Sequence, residues 1–172
     1  MKRKGIILGL IVLAFLLEST LFSHLSFAGI KPNLLIILTS SFGFMRGKKE
    51  GLWVGLVCGV FVDVLWGGML GLQMLIFSVI GYGNGMFRRL FYDDDIKLPL
   101  VLIGASELLY GFANYVGFHL LKGDFAFYNY FSHIILPELI YTVLVTLAVY
   151  QVVLKINKKL EAEEQRSASR FV

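Results

Sequence analysis

The sequence predicts an all-α integral membrane protein, a bundle of about six transmembrane helices with both termini in the cytoplasm. Three observations carry this. The 172 residues are 57% hydrophobic and 16% charged, with a mean hydropathy of +0.74; soluble domains run at about 45–50% apolar and about 25% charged. Apolar runs separated by short polar turns recur along the whole chain, and its length leaves room for six spans of about 20 residues. The basic residues fall on one side of the serpentine those runs imply. A single multi-pass domain over 1–156 and a short charged cytoplasmic tail over 157–172 account for the whole chain.

The first apolar run extends from about Gly5 to Phe27, behind Lys2, Arg3 and Lys4. The second, about Asn33 to Met45, follows Pro32 and is short: at about 1.5 Å per residue it rises only about 20 Å, against roughly 30 Å of hydrocarbon. It must tilt into thinned bilayer, shelter among its neighbours, or extend through Ile30 and Lys31 with the lysine snorkelling. The third runs from about Gly51 to Trp66, the fourth from about Met69 to Phe87, the fifth from about Leu98 to Leu121, and the sixth from about Phe131 to Ile156. All must be helical, since hydrocarbon offers backbone groups no partners and none of the runs alternates like a barrel strand. The charged stretch from Lys155 to Arg166 is rich in helix formers and prolongs the last helix before fraying at Ser167.

With the N-terminus inside, fourteen of the sixteen basic residues face the cytoplasm, leaving only Lys31 and Lys122 outside. That asymmetry assigns the net charge of +4 to membrane lipids and argues against nucleic acid as a partner. The basic start, the apolar stretch to Leu17 and the triplet Ser26-Phe27-Ala28 also fit a signal peptide. Cleavage after Ala28 would leave five helices. Retention is the expectation, because no exported domain follows that would need a leader.

Four acids, Glu18, Asp63, Glu107 and Glu138, fall within or near the ends of spans, where no Lys or Arg does. An ionised acid at the bilayer centre costs about 2.5–3.5 kcal/mol, so such residues face the bundle interior, pair or protonate. His24, His119 and His133 fall near the outer ends of the first, fifth and sixth helices. The set can be read as a proton or cation site. The plainer reading is a group of outer polar residues bonding between helices or to water. Gly51, Gly55, Gly59 and Asp63 recur every fourth residue, so three glycines and an acid share one helix face, the spacing that lets two helices pack closely or receive a partner helix. Gly67, Gly68 and Gly71 form the next turn, Gly71 also being a candidate with Gly51, Gly55 and Gly59 for helix packing or a partner interface, and Gly81, Gly83 and Gly85 loosen or pack the end of the fourth span.

Catalytic, cofactor and metal motifs are absent: there is no H-E-x-x-H, no G-x-S-x-G and no phosphate-binding loop. The lone Cys58 lies in an apolar run and reads as structural. Asp93, Asp94 and Asp95 read as a solvated loop, with docking of a cytosolic partner as the alternative.

Pro32-Asn33-Leu34, Arg46-Gly47, Gly51, Gly55-Leu56, Gly59, Asp63 and Leu70-Gly71 follow one another in an order that resembles the rod shape-determining protein MreD family. The likeness is dense over about 30–85, with Pro137 and Tyr141 as further matches; Thr142, where the family tends to have Asn, and Glu18, where an uncharged polar residue is usual, depart from it. The resemblance implies a non-enzymatic subunit of the bacterial elongation machinery. Its implied partners are a bitopic MreC-like protein, RodA with a class B penicillin-binding-protein synthase, and the MreB cytoskeleton, directly or through others. It also implies a bundle similar to the substrate-binding subunits of energy-coupling-factor vitamin transporters. A small-molecule transporter or substrate-capture subunit, using Glu18, Asp63 and the three histidines, is the rival reading.

Overall fold

The computed structural model describes residues 2–20, 30–66, 71–90, 96–119 and 127–168. The expected His24, the turn glycines Gly67 and Gly68, the Asp93–Asp95 triplet, Lys122 and the Ser26–Ala28 triplet lie outside them, as does the side chain of His119. The described residues form six helices: α1 (Lys2–Ser19), α2 (Leu34–Arg46), α3 (Lys48–Trp66), α4 (Leu72–Met86), α5 (Lys97–Asn114) and α6 (Leu136–Ala168). A 3-10 turn, Phe87–Leu90, ends α4, and a π turn, Tyr115–His119, ends α5. A short helical turn, Phe127–Tyr130, and a π turn, Phe131–Ile135, lead into α6. Pro137 has no N–H to offer the carbonyl four residues back, and just before it the Leu136 N–H reaches back five residues to Phe131.

α2 is the hub. It packs against α1, α3, α4, α5 and α6, and every residue from Leu34 to Met45 is buried. The short run is therefore sheltered by its neighbours, one of the three solutions open to it. A mainly apolar helix with no charge before its last residue, Arg46, belongs inside a bundle. Its connection to α3 is the single residue Gly47, at φ +99, a left-handed conformation that a β-carbon would strain.

The outside of the bundle is apolar as well. Val64 and Val101 are each 67% exposed and Leu75 62%, among more than twenty large apolar side chains facing outward. Water would not tolerate that surface, and lipid would. Among the described residues, Lys97–Phe118 and Phe127–Arg166 are long and apolar enough to cross a membrane. Both facts fit a membrane location. α1 is described as helix only to Ser19, α4 starts later than its apolar run because the chain first turns at Gly71, and α6 runs on through the charged tail to Ala168.

Candidate functional site

Among the described residues, α3 and α4 meet backbone to backbone. A Cβ built on Gly51, Gly55 or Gly59 would overlap, in turn, the Gly81 carbonyl, the Phe77 carbonyl and the Met74 Cα. From the other side, Gly81 lies against the Gly51 carbonyl and Gly85 against the Lys48 backbone, while Gly83 faces open space. Of that triplet, two glycines pack and one does not. The small-residue face of α3 is thus filled by α4 of the same chain, so it is a seam within the bundle and is not open to a partner helix. Gly71, a candidate for the same packing face, belongs to a different class from the seam glycines. Nothing lies within 4 Å of a Cβ placed there, and its φ of +95 makes it a backbone turn.

Asp63 closes the seam. The first N–H groups of a helix have no partner within it, and those entering α4 find the Asp63 carboxylate. Its Oδ2 accepts from Gly71 and Met74, each at 3.0 Å, and its Oδ1 accepts from Gln73 at 3.3 Å. The fourfold spacing along α3 therefore brings two backbones together and then caps the second helix. The carboxylate is buried, at 5% exposure.

A second acid site lies where α2 begins. Because α2 is short, its N-terminus opens inside the bundle, and its orphan donors need acceptors there. Asn33 Oδ1 accepts from the Ile36 N–H at 3.1 Å, and the Asn33 N–H donates to Thr142 Oγ1 of α6 at 3.1 Å. Glu18 of α1 faces the Leu34 and Leu35 backbone, and Glu107 of α5 faces the Asn33 side chain. Glu138 of α6 lies near enough to act electrostatically on both glutamates. Three of the four predicted acids thus converge on one helix end from three different helices. Glu18 Oε2 and Glu107 Oε2 keep no hydrogen-bond partner, although the two residues are only 7% and 2% exposed. Among the described residues no three His, Cys, Asp or Glu side chains are grouped to hold a metal ion. His133 stays apart, exposed on its own helix with Nδ1 near the Ser132 hydroxyl and the Asn129 carbonyl. Asn33 was legible as a helix cap, a side-chain acceptor just ahead of an apolar run. Thr142 carried no such signal.

Further polar pairs tie the helices together. Gln73 donates to Asn114 at 2.6 Å, and Asn84 donates to Ser106 at 2.7 Å and to Ser40 at 3.4 Å. Pairs of this kind contribute about 0.6–2 kcal/mol each between helices in lipid. At the basic end, Arg3 bonds Glu50 and, at 2.8 Å, Glu164; Arg46, with its side chain only 7% exposed, reaches Glu164 at 3.0 Å and also bonds Asn157. One carboxylate in α6 thereby joins the ends of α1 and α2.

Slight burial pushes the Glu164 carboxyl up, but hydrogen bonds and charge from Arg3 and Arg46 outweigh it and bring it below its ordinary value. A carboxyl lowered on folding adds stability above its unfolded pKa and loses it as pH falls through the lowered native one. The tether is therefore expected to hold at neutral pH and release only in acid. Glu164→Gln should remove that acid-dependent part of the melting temperature, and a pH series of thermal melts checks it. The effect will be small, because the side chain is 43% exposed and water and salt screen it.

A family profile described as rod shape-determining protein MreD matches residues 2–160. No curated protein and no solved structure matches the chain.

Proposed function

The chain belongs to the rod shape-determining protein MreD family, and from that premise we propose that it is a multi-pass, non-enzymatic scaffold of the bacterial cell-elongation machinery. In this reading it lies in the cytoplasmic membrane with both termini in the cytosol. It holds an MreC-like bitopic protein beside RodA and its penicillin-binding-protein partner, and reaches the MreB cytoskeleton directly or through them. The family match over 2–160 carries the reading. The apolar outer surface and the gathering of arginines at one end support it. Since the α3 glycine face is occupied by α4, the partner helix would have to lie on another surface. A shallow apolar groove between α1, α2 and α6, lined by Leu13, Leu17, Leu38, Val149 and Val152, has the chemistry for it.

Two measurements test the proposal together. Depletion should widen rod-shaped cells, and an MreC-like protein should co-purify in mild detergent. Unchanged cell width with no co-purifying partner would sink it.

The buried glutamates at the start of α2 favour one second reading, a substrate-capture subunit whose cationic ligand meets Glu18 and Glu107. It requires a small molecule to travel with the protein into native mass spectrometry. Repeatedly empty preparations would exclude it.

A further inference from the structure

At the basic end, the α2–α3 turn and the end of α4 enclose an open cleft of about 1230 Å³. Six basic side chains line it: Arg3, Arg46, Lys48, Lys49, Arg88 and Arg89. Glu50 and Glu164, the two acids in its wall, are already engaged by Arg3 and Arg46. Lys48 sits over the Tyr82 ring, its ammonium 5.6 Å from the centroid. Among the described residues Lys49, Arg88 and Arg89 have no acid partner, and all three are exposed.

The positions of these cations are built. The Arg88 stem lies over Gly47, where a Cβ would come within 2.9 Å of Arg88 Cδ, so the turn glycine makes room for it. The cleft also receives the N-terminal end of α3, a 19-residue helix starting at Lys48, whose dipole adds positive potential. Such a concentration of like charge calls for an anion. The rim narrows which one. Met86, Phe87 and Leu90, beside Arg88 and Arg89, are 55%, 44% and 50% exposed. Positive charge in a cleft next to an apolar flank is the complement of an amphiphile.

We propose that this cleft binds the phosphate of an anionic phospholipid, with Arg88, Arg89, Lys48 and Lys49 around the headgroup and the acyl chains against Met86, Phe87 and Leu90. The inference rests on this end facing the cytosolic leaflet. It needs no partner protein, so its failure would leave the elongation reading untouched.

The test is native mass spectrometry of the full chain in mild detergent, titrated with phosphatidylglycerol, phosphatidylcholine or inorganic phosphate. Phosphatidylglycerol should be retained at about tenfold lower concentration than phosphatidylcholine, and Arg88→Gln/Arg89→Gln should lose about that factor, the worth of one charge-assisted hydrogen bond. Lys155→Gln/Lys159→Gln, which removes the same charge outside the cleft, should bind like the parent. Lys49→Gln supplies the same comparison from the opposite wall if the arginine variant melts early. Equal retention of the two lipids, or unaltered binding by both cleft variants, overturns the proposal. So does displacement of phosphatidylglycerol by equimolar inorganic phosphate, which would assign the cleft to a soluble anion.

Discussion

Gly55→Leu and Gly59→Leu should each disrupt the α3–α4 pair and with it the yield of folded protein. In both cases the first added carbon meets backbone, the Phe77 carbonyl or the Met74 Cα, so no rotamer change can make room. The helices must move apart. Overpacking of a side-chain core costs about 1–3 kcal/mol, and displacing a whole helix should exceed that, a large share of a total stability of about 5–15 kcal/mol. Separation of α4 would also pull its first turn away from Asp63. Gly83→Leu is the matched control: it adds the same bulk to α4 where nothing lies within 4 Å. Melting curves and the monodisperse fraction in detergent check the comparison. If the seam variants matched the control, α3 and α4 would not be in backbone contact.

Asp63→Leu should come next in severity. It strips acceptors from three backbone N–H groups at once, those of Gly71, Gln73 and Met74, around a carboxylate only 5% exposed. An orphaned buried donor costs about 1–3 kcal/mol; the Gln73 bond is buried and the other two are partly so. Asp63→Asn keeps one oxygen and turns a nitrogen toward a donor, so it should lose part of the stability and fall between the parent and the leucine variant. Hydrogen exchange at residues 71–74 reads the effect locally. Equal losses in the two variants would show that the negative charge at the helix end outweighs the number of bonds.

Local features of the chain spoke for much of this architecture. The helical class follows from runs of apolar residues that must satisfy their own backbone. The family follows from an ordered set of residues between Pro32 and Gly71, and the profile match extends it to 2–160. The spacing of Gly51, Gly55, Gly59 and Asp63 marked one helix face, because residues four apart lie above one another on a helix. Spacing could not say what that face meets. Gly71, a candidate both for the turn and for the packing face, is a turn residue.

The acids divide along the same line. That Glu18, Glu107 and Glu138 must face the interior, pair or protonate follows from their charge in apolar runs. That they gather at the start of α2, while Asp63 serves α4, does not. A segment's composition and period are its own properties and can be read wherever they occur. The need for an acceptor at a helix end arises from where that end comes to lie and which other helices pass beside it. In this protein a thirteen-residue helix stops short inside the bundle, and only the packing of five neighbours around it decides which carboxyl groups gather near its N-terminal end.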